Sequence, residues 1–416
     1  MDKINEIVHS LPPMLTGKEL SSALTVLPEY NDSICYESNA VRLMALSDLE
    51  RIYLPSQMSH EIYSKLYLSL IRSLQKKQTK LAIKQRYENN RAIQKQAYNG
   101  ILGGSDSYTI IAPSGVGKSS AINRAVALIT ENRMIETHEP FSKIIPCLVV
   151  QCPFDASTKG LMLEILRNVD EELETKYYHQ AVRSRAMTTD VLIGTVATVA
   201  LNHIGLLIVD EIQNVTTNKN GRSLIGALTQ VINCSGISIC LVGIPECTSF
   251  FEQAVQLARR SLGLQYRALE YDDYFCDFCK IVFDYQYVRT RTEITPAITQ
   301  WLYEHSAGVI SVVISLIRDA QEIAILNGKE VLNIETLNEA YRKRLSMLHA
   351  YIEPEISRIQ QCGTLQKKKT PTLPVQAYTE NGVMSIVEIA DEARKSNVDI
   401  VSLLRKHMTV EEVETC

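Results

Sequence analysis

Hydrophobic and polar residues follow a strand-like pattern in the middle of the chain and a helix-like pattern on either side. Between residues 107 and 271, short apolar runs are separated by segments of helical length; the runs are SYTIIA, IIPCLVVQ, IGLLIVDE, GISICLVG and the weaker LQYRALEY. Strands that alternate with helices pair in parallel, and the helices cover the faces of the sheet. We therefore predict an α/β domain over residues 99–271.

Helical segments flank this domain. Residues 1–98 are rich in helix formers and are interrupted by proline turns, which predicts an N-terminal helical extension. Strand signals stop after Asp272, and helical periodicity predicts a C-terminal helical lid over residues 272–352. Residues 353–416 begin with a lysine run and two prolines, so we expect a linker and a tail there.

One lid helix has an apolar stripe at helical spacing, which predicts a packed face. The stripe consists of Ile310, Val313, Ile314 and Ile317. Gly328 suits the end of that helix, and Asn333 can cap the next one.

Composition narrows the possible classes of protein. Of the 416 residues, 45% are hydrophobic and 22% are charged, as in folded proteins. No apolar run is long enough to span a bilayer and the first residues lack a signal-peptide pattern, so we expect a cytoplasmic protein that does not engage a membrane. The ten scattered cysteines favour reduced thiols, and Cys276 and Cys279 lack further ligands for zinc.

Charge is unevenly distributed. The net charge of −4 does not point to nucleic acid, yet residues 72–95 hold eight basic side chains against one acid. This stretch is either a solvated helix face or a local basic patch.

A phosphate-binding loop follows the first predicted strand and opens a helix. The expected nucleotide-binding residues are Pro113, Ser114, Gly115, Val116, Gly117, Lys118, Ser119 and Ser120. Glycines let the backbone N–H groups turn toward the phosphates of ATP, and the helix N-terminus adds a favourable dipole. Lys118 is expected to reach the β- and γ-phosphates and Ser119 to ligate Mg²⁺. Ala112 replaces the glycine that usually begins the motif.

The second half of the site is an acidic pair at the end of the apolar strand IGLLIVDE. Asp210 is placed to hold Mg²⁺, directly or through water. Glu211 is the natural general base for the attacking water, because hydrolysis needs a proton acceptor in line with the γ-phosphate. Together with the loop, this pair predicts an ATPase.

Several segments carry a resemblance to a known family; they are IIAPSGVGKSSAINR, LLIVDEIQNV, LVGIPECTSFFE, SAGVISVVISLIRDAQEIAILNGKEVLNIETL and the N-terminal LPEYN and LPSQ. They resemble the TnsC and TniB group of AAA+ transposition regulators from bacterial transposons, over roughly residues 25–350. The resemblance implies a P-loop AAA+ parallel sheet flanked by helices, with an N-terminal extension and a lid.

The resemblance also implies partners. These are double-stranded DNA bound without sequence preference, transposase subunits, a target-selector protein of the TniQ or TnsD kind, and further copies of the chain in a ring or helical filament, hexameric or heptameric per turn. ATP hydrolysis would drive disassembly. Residues 154–159 look like the DNA-facing segment of the family, with Lys159 as the first candidate for a phosphate contact and Arg183 and Arg185 as second candidates. A solvated lysine is the alternative for Lys159.

Residues that would act between subunits are less marked. Arg259 and Arg260 follow the fourth strand, where AAA+ proteins often present an arginine to the γ-phosphate of a neighbouring subunit; surface arginines are the alternative. The segment Gly243-Ile244-Pro245-Glu246 has no Ser, Thr or Asn at the usual sensor position. Val309, Ile310 and Ser311 follow Gly308, where many AAA+ lids have an arginine, and Arg318 is two turns further on. Slow or partner-stimulated hydrolysis is therefore a hypothesis, which single-turnover kinetics with and without partners would test.

Two other functions stay open on the sequence. A replication initiator or helicase loader also uses an AAA+ module on DNA, and a winged-helix domain after the lid would favour it. A STAND-like signalling ATPase would gate protein assembly without DNA, and repeats beyond the lid would favour it. A motor helicase is disfavoured because the chain has a single ATPase core.

Overall fold

The computed structural model describes residues 11–92, 107–138, 141–184, 187–248, 251 and 263–345. The strands in this part of the chain are β1 (Ser107–Ile111), β2 (Ile135–His138), β3 (Phe141–Gln151), β4 (Ile204–Asp210), β5 (Ser238–Gly243) and β6 (Leu264–Gln265). The helices before β1 are α1 (Gly17–Leu24), α2 (Asn39–Ala45), α3 (Gln57–Lys77) and α4 (Lys80–Ala92). Short 3₁₀ segments are Asp32–Tyr36, Leu46–Arg51 and Pro245–Cys247.

The helices that follow β1 alternate with strands and then succeed one another. They are α5 (Lys118–Thr130), α6 (Thr158–Leu173), α7 (Tyr177–Arg183), α8 (Thr189–His203), α9 (Asn214–Thr217), α10 (Gly221–Ser235), α11 (Asp273–Asp284), α12 (Pro296–Ser306), α13 (Ile310–Leu326) and α14 (Ile334–Arg344). None of the helices in the described ranges is long and apolar enough to cross a membrane.

Six strands form one sheet in the order β2-β3-β4-β5-β1-β6. All neighbouring pairs are parallel except β2 and β3. The parallel sheet confirms the α/β prediction, although the weakest predicted strand is reduced to the two residues of β6. Because β5 lies between β1 and β4, the carboxyl ends of these three strands meet at one edge of the sheet.

Helices cover both faces of the sheet. Along β4, Leu207 and Val209 face the core that α6, α8 and α10 complete. Leu206 and Ile208 face the other way, into a core shared with α1, α3 and α5. This alternation is the strand period of two. The helices that precede β1 therefore cover part of one face of the sheet.

The four helices α11 to α14 form the lid around a third core. Val313 and Ile317 of the predicted stripe are fully buried there. The helix signals are confirmed: α13 ends just before Gly328, and the Asn333 side chain accepts from two backbone N–H groups of α14. Cys279 lies in the same core, where burial raises the pKa of its thiol.

Residues from the N-terminal part of the chain complete the lid core. Leu46, Leu49 and Ile52 belong to the same apolar cluster as the lid helices. Arg42 is fully buried beside them and donates to both carboxylate oxygens of Glu330, at 2.7 and 2.8 Å.

The basic stretch at residues 72–95 is not simply a solvated face. Lys77 is buried, and its ammonium donates to the carbonyl of Ala200 at 2.7 Å and to that of Leu201. These carbonyls belong to the last turn of α8, and that of Ala200 also accepts from the backbone N–H of Ile204. Arg86 is buried too and donates to Thr137 on β2 at 2.9 Å. At these two positions the basic side chains are buried and form hydrogen bonds inside the protein.

Candidate nucleotide-binding site

The phosphate-binding loop connects β1 to α5 in the predicted conformation. Gly115 and Gly117 have φ angles of 83° and 91°, in the left-handed region that favours glycine. Ala112 is buried, its N–H donates to the carbonyl of Gly243 at 3.2 Å, and its backbone is not left-handed. The replacement of the usual glycine by Ala112 is therefore compatible with the loop.

Lys118 is the first residue of α5, and its ammonium lies between the ends of β1 and β5. It donates to the carbonyl of Gly243 at 2.8 Å and to that of Ala112 at 3.3 Å. Burial lowers its pKa, while the nearby carboxylates of Asp210 and Glu211 oppose that shift. The cation is held by neutral carbonyls at the place where an anionic phosphate would provide a stronger partner.

Ser119 and Asp210 form a possible magnesium site. The Ser119 hydroxyl donates to Asp210 Oδ2 at 3.1 Å. A hydroxyl and a carboxylate are oxygen ligands of the kind Mg²⁺ prefers, and Mg²⁺ in nucleotide sites is usually held by few protein groups together with phosphates and water. The residues therefore fit the ion that the sequence predicts, with both ligands next to the loop.

Glu211 lies immediately beyond β4 with an exposed side chain. Its φ angle of 58° is left-handed, which is uncommon for a residue with a side chain. Its N–H donates to Asp210 Oδ1 at 2.8 Å, and its carboxylate accepts a hydrogen bond from the amide of Gln213. This backbone turn directs the carboxylate away from the strand and toward the loop cavity.

Gln213 is a site residue that the sequence did not single out. It borders the cavity beside Glu211, and its Oε1 lies near Gly243 at the end of β5. The signal that could have found Gln213 is its position two residues after the candidate base in the DEIQN segment.

A cavity of about 440 Å³ joins these groups to two other parts of the chain. One wall is the loop with Lys118, Ser119 and Ser120. The second wall is the segment before α3 and the start of α3, and the third is the start of α13. The lining residues outside the loop include Glu50, Ile52, Tyr53, Leu54, Ser56, Met58, Ser59, Arg124, Phe278, Ile310, Ser311, Ile314 and Ser315.

Part of the cavity lining is apolar. Leu54, Met58, Phe278 and Ile314 line it together with Tyr53. The guanidinium of Arg124 lies 4.5 Å from the centre of the Tyr53 ring, and burial lowers the pKa of that guanidinium. An apolar slot with a few polar groups is the usual environment of a nucleotide base.

The lid contacts the loop directly. The N–H of Ser311 donates to the carbonyl of Gly115 at 3.0 Å. Arg318 lies further along α13 and pairs with Glu50 and with Asp319, at 2.9 Å for the latter.

The predicted DNA and intersubunit residues are only partly described. Lys159 is exposed in the first turn of α6. Arg183 is the exposed last residue of α7. Arg185, Arg259 and Arg260 lie outside the described residues.

Comparisons with known proteins identify the domain. Residues 102–251 match the family model described as AAA domain. With the six-stranded sheet and the loop, this match confirms the P-loop AAA+ α/β fold. No curated protein matches the chain.

Solved structures with similar folds have low sequence identity. The ORC1 protein of Aeropyrum pernix in complex with DNA is 13% identical, with 70% of this chain and 66% of that chain covered and a TM-score of 0.44. The ORC2 protein of Aeropyrum pernix in its ADP form is 16% identical, with 62% and 66% covered and a TM-score of 0.38. RuvB of Thermotoga maritima is 12% identical, with 78% and 84% covered and a TM-score of 0.33. The chain thus spans 66% of the length of each ORC protein.

Proposed function

We propose that the AAA domain over residues 102–251 binds ATP with Mg²⁺ in the loop cavity and hydrolyses it. The observation that supports this most directly is the convergence of Lys118, Ser119, Asp210 and Glu211 at one edge of the sheet.

Each residue has a distinct role in this proposal. Lys118 exchanges its carbonyl partners for phosphate oxygens, and backbone N–H groups of the loop bind the remaining phosphate charge. Ser119 and Asp210 hold Mg²⁺, which neutralises charge on the phosphates when it is bound. Glu211 accepts the proton of the attacking water, and Gln213 orients the Glu211 carboxylate. The base would contact the apolar part of the cavity lining, which includes Tyr53 and Ile314.

The ATPase proposal is tested by turnover of the full chain with ATP and Mg²⁺. Removal of a general base lowers turnover by roughly 10²- to 10⁴-fold, so Glu211→Gln is expected to bind ATP and hydrolyse it that much more slowly. Lys118→Ala is expected to lose ATP binding, whereas Lys18→Ala, at an exposed lysine on α1, keeps it. Equal turnover of Glu211→Gln and the natural chain would remove Glu211 from the role of base.

We further propose that the ATPase is a transposition regulator that assembles on double-stranded DNA and links a target selector to transposase subunits. The resemblance of residues 25–350 to the TnsC and TniB group supports this proposal, and so does the exposed position of Lys159. Hydrolysis then drives disassembly. The serine in place of a lid arginine is consistent with hydrolysis that partners stimulate.

The assembly proposal is tested by binding to random-sequence double-stranded DNA with ATP, with ADP and with a non-hydrolysable analogue, while electron microscopy images the same samples. Rings or filaments that need ATP and DNA, and that Lys118→Ala abolishes, support it. Assembly with ATP that ignores DNA favours the signalling ATPase instead. If the assembled protein loads a helicase and does not bind transposase, the replication function is favoured.

A further inference from the structure

One arginine of the nucleotide cavity has an aromatic partner but no anionic one. Arg124 lies on α5, one helical turn after Ser120, and both residues line the cavity. Its guanidinium lies over the ring of Tyr53, 4.5 Å from the ring centre. Within the described part of the chain, this guanidinium forms no ion pair and no hydrogen bond. The cation therefore borders the proposed ATP site without a compensating charge.

The acids that line the cavity in the described ranges are engaged elsewhere. Glu50 pairs with Arg318 of the lid, and Glu211 accepts from the amide of Gln213. Burial lowers the pKa of the Arg124 guanidinium, and no carboxylate raises it. A partly buried cation in this state is stabilised by an electron-rich group that a ligand brings to it.

The Tyr53 ring is held from both ends. Its hydroxyl lies 2.8 Å from that of Ser59, a buried residue in the first turn of α3. Its backbone exchanges two hydrogen bonds with the backbone of Val26, at 2.8 and 2.9 Å. A fixed ring in turn limits where the guanidinium of Arg124 can lie.

Arg124 lies away from the phosphate-binding end of α5. Lys118 begins the helix, and Arg124 follows it by about 9 Å along the helix axis. The proposed function assigns the phosphates and Mg²⁺ to Lys118 and Ser119. Arg124 contacts Tyr53 instead, which belongs to the part of the lining where the base is expected.

We propose that the Arg124 guanidinium stacks on the base of the bound nucleotide, with the Tyr53 ring on its other face. This inference rests on the proposed ATP binding and assigns a further binding residue to it. A guanidinium is planar and weakly hydrated and packs on aromatic faces, which an ammonium does not reproduce. The stack holds the base and leaves the phosphates to the loop.

The first experiment compares two ligands in the full chain and in Arg124→Lys, which keeps the charge but loses the planar group. The ligands are the Mg²⁺ complexes of ATP and of inorganic tripolyphosphate, which has phosphates but no base. Competition with a fluorescent ATP analogue measures both affinities. The variant is expected to bind ATP about tenfold more weakly and tripolyphosphate as tightly as the natural chain does.

The matched control is Arg133→Lys, at an exposed arginine just after α5. It is expected to keep the natural affinity for both ligands. Steady-state turnover adds a second readout: KM for ATP rises about tenfold in Arg124→Lys while kcat stays constant, because the stack binds the ground state and the transition state equally. A fall in kcat at constant KM would contradict the assignment to the base.

A second variant tests the ring beneath the guanidinium. Tyr53→Leu is expected to lower ATP affinity by a similar factor. The double variant with Arg124→Lys is expected to lose less than the product of the two factors, because both changes act on one stack. Thermal unfolding shows whether each variant is folded, and independent losses would contradict the stack.

The outcomes separate this inference from the proposed function. Unchanged ATP affinity in Arg124→Lys overturns the inference alone, because charge without a planar group would then suffice. An equal loss for ATP and tripolyphosphate also overturns it, because Arg124 would then bind phosphate. If the folded natural chain binds no ATP, both the inference and the proposed ATPase function are wrong.

Discussion

The backbone N–H of Ser311 donates a 3.0 Å hydrogen bond to the carbonyl of Gly115, so the lid holds the middle of the phosphate-binding loop. The hydroxyl of the same serine occupies the space beside the glycine, where a Cβ would lie 2.3 Å from its Oγ. The shape of the loop therefore depends on a residue far away in the sequence. Nucleotide affinity should respond to changes on either side of this contact.

We expect Gly115→Ala to weaken ATP binding by about tenfold or more. The added Cβ would meet Ser311 and would occupy a left-handed backbone, which costs about 1–2 kcal/mol for a residue with a side chain. Titration with a fluorescent ATP analogue measures the change. Gly226→Ala is the matched control, because nothing lies within 4 Å of its added Cβ and its backbone is not left-handed. Unchanged affinity in Gly115→Ala would show that the loop does not adopt this geometry when it binds ATP.

Gln213→Leu is expected to lower kcat by roughly tenfold while KM stays nearly constant, because an orienting hydrogen bond contributes about 1–1.5 kcal/mol. The amide of Gln213 bonds the Glu211 carboxylate, and its Oε1 is buried without a partner within the described residues. Steady-state turnover over a range of ATP concentrations separates the two constants. A rise in KM at constant kcat would instead make Gln213 a binding residue.

Loss of Arg42 is expected to lower the free energy of unfolding by about 1–3 kcal/mol, because the partly buried Glu330 carboxylate loses two charge-assisted hydrogen bonds and keeps only Arg289 as a charged partner. Arg42 is fully buried, and the Glu330 side chain is 16% exposed. Denaturant unfolding of Arg42→Met measures the loss. The exposed pair of Arg344 and Glu322 provides the control, since Arg344→Met should change the free energy by less than about 1 kcal/mol. Similar values for both variants would contradict a structural role for Arg42.

Stability should also depend on pH through Glu330. The Arg42 hydrogen bond holds the pKa of the Glu330 carboxyl below its usual 4.5. A depressed pKa in the folded state gives stability that is present above pH 4.5 and is lost as the pH falls through the lower folded value. Unfolding of the natural chain and of Glu330→Gln should therefore converge in acid. A constant difference between the two chains across that range would exclude this linkage.

The sequence predicted those parts of the site that depend on local backbone geometry. Gly115, Gly117 and Lys118 are set by the turn from β1 into α5, and Glu211 by the end of β4. Glycine spacing and a strand that ends in acids carry this information within a few residues. The sequence predicted that the strands pair in parallel but not the order of the strands, because the pairing of β1 with β5 involves residues far apart in the chain.

The sequence did not predict contacts between distant segments. Lys77 lies in the segment 72–95, which contains eight basic residues. It is buried against α8 because its ammonium bonds two backbone carbonyls more than a hundred residues away in the chain. Gln213 and Ser311 reach the cavity for similar reasons, through the packing of α9 and α13. The pattern of charge and hydropathy along the chain does not show which distant segments lie next to each other. The boundaries between the four predicted segments stay predictions.

The insertion of Leu46 and Leu49 into the lid core has a consequence during protein synthesis. Both side chains belong to an apolar cluster with Phe275 and other lid residues, which the ribosome adds much later. Roughly 220 residues separate Leu49 from Phe275, which at about 5–20 residues per second is a delay of roughly 10–45 seconds. During that time the apolar segment has no lid to cover it, so the nascent chain exposes these side chains until the lid helices have been synthesised.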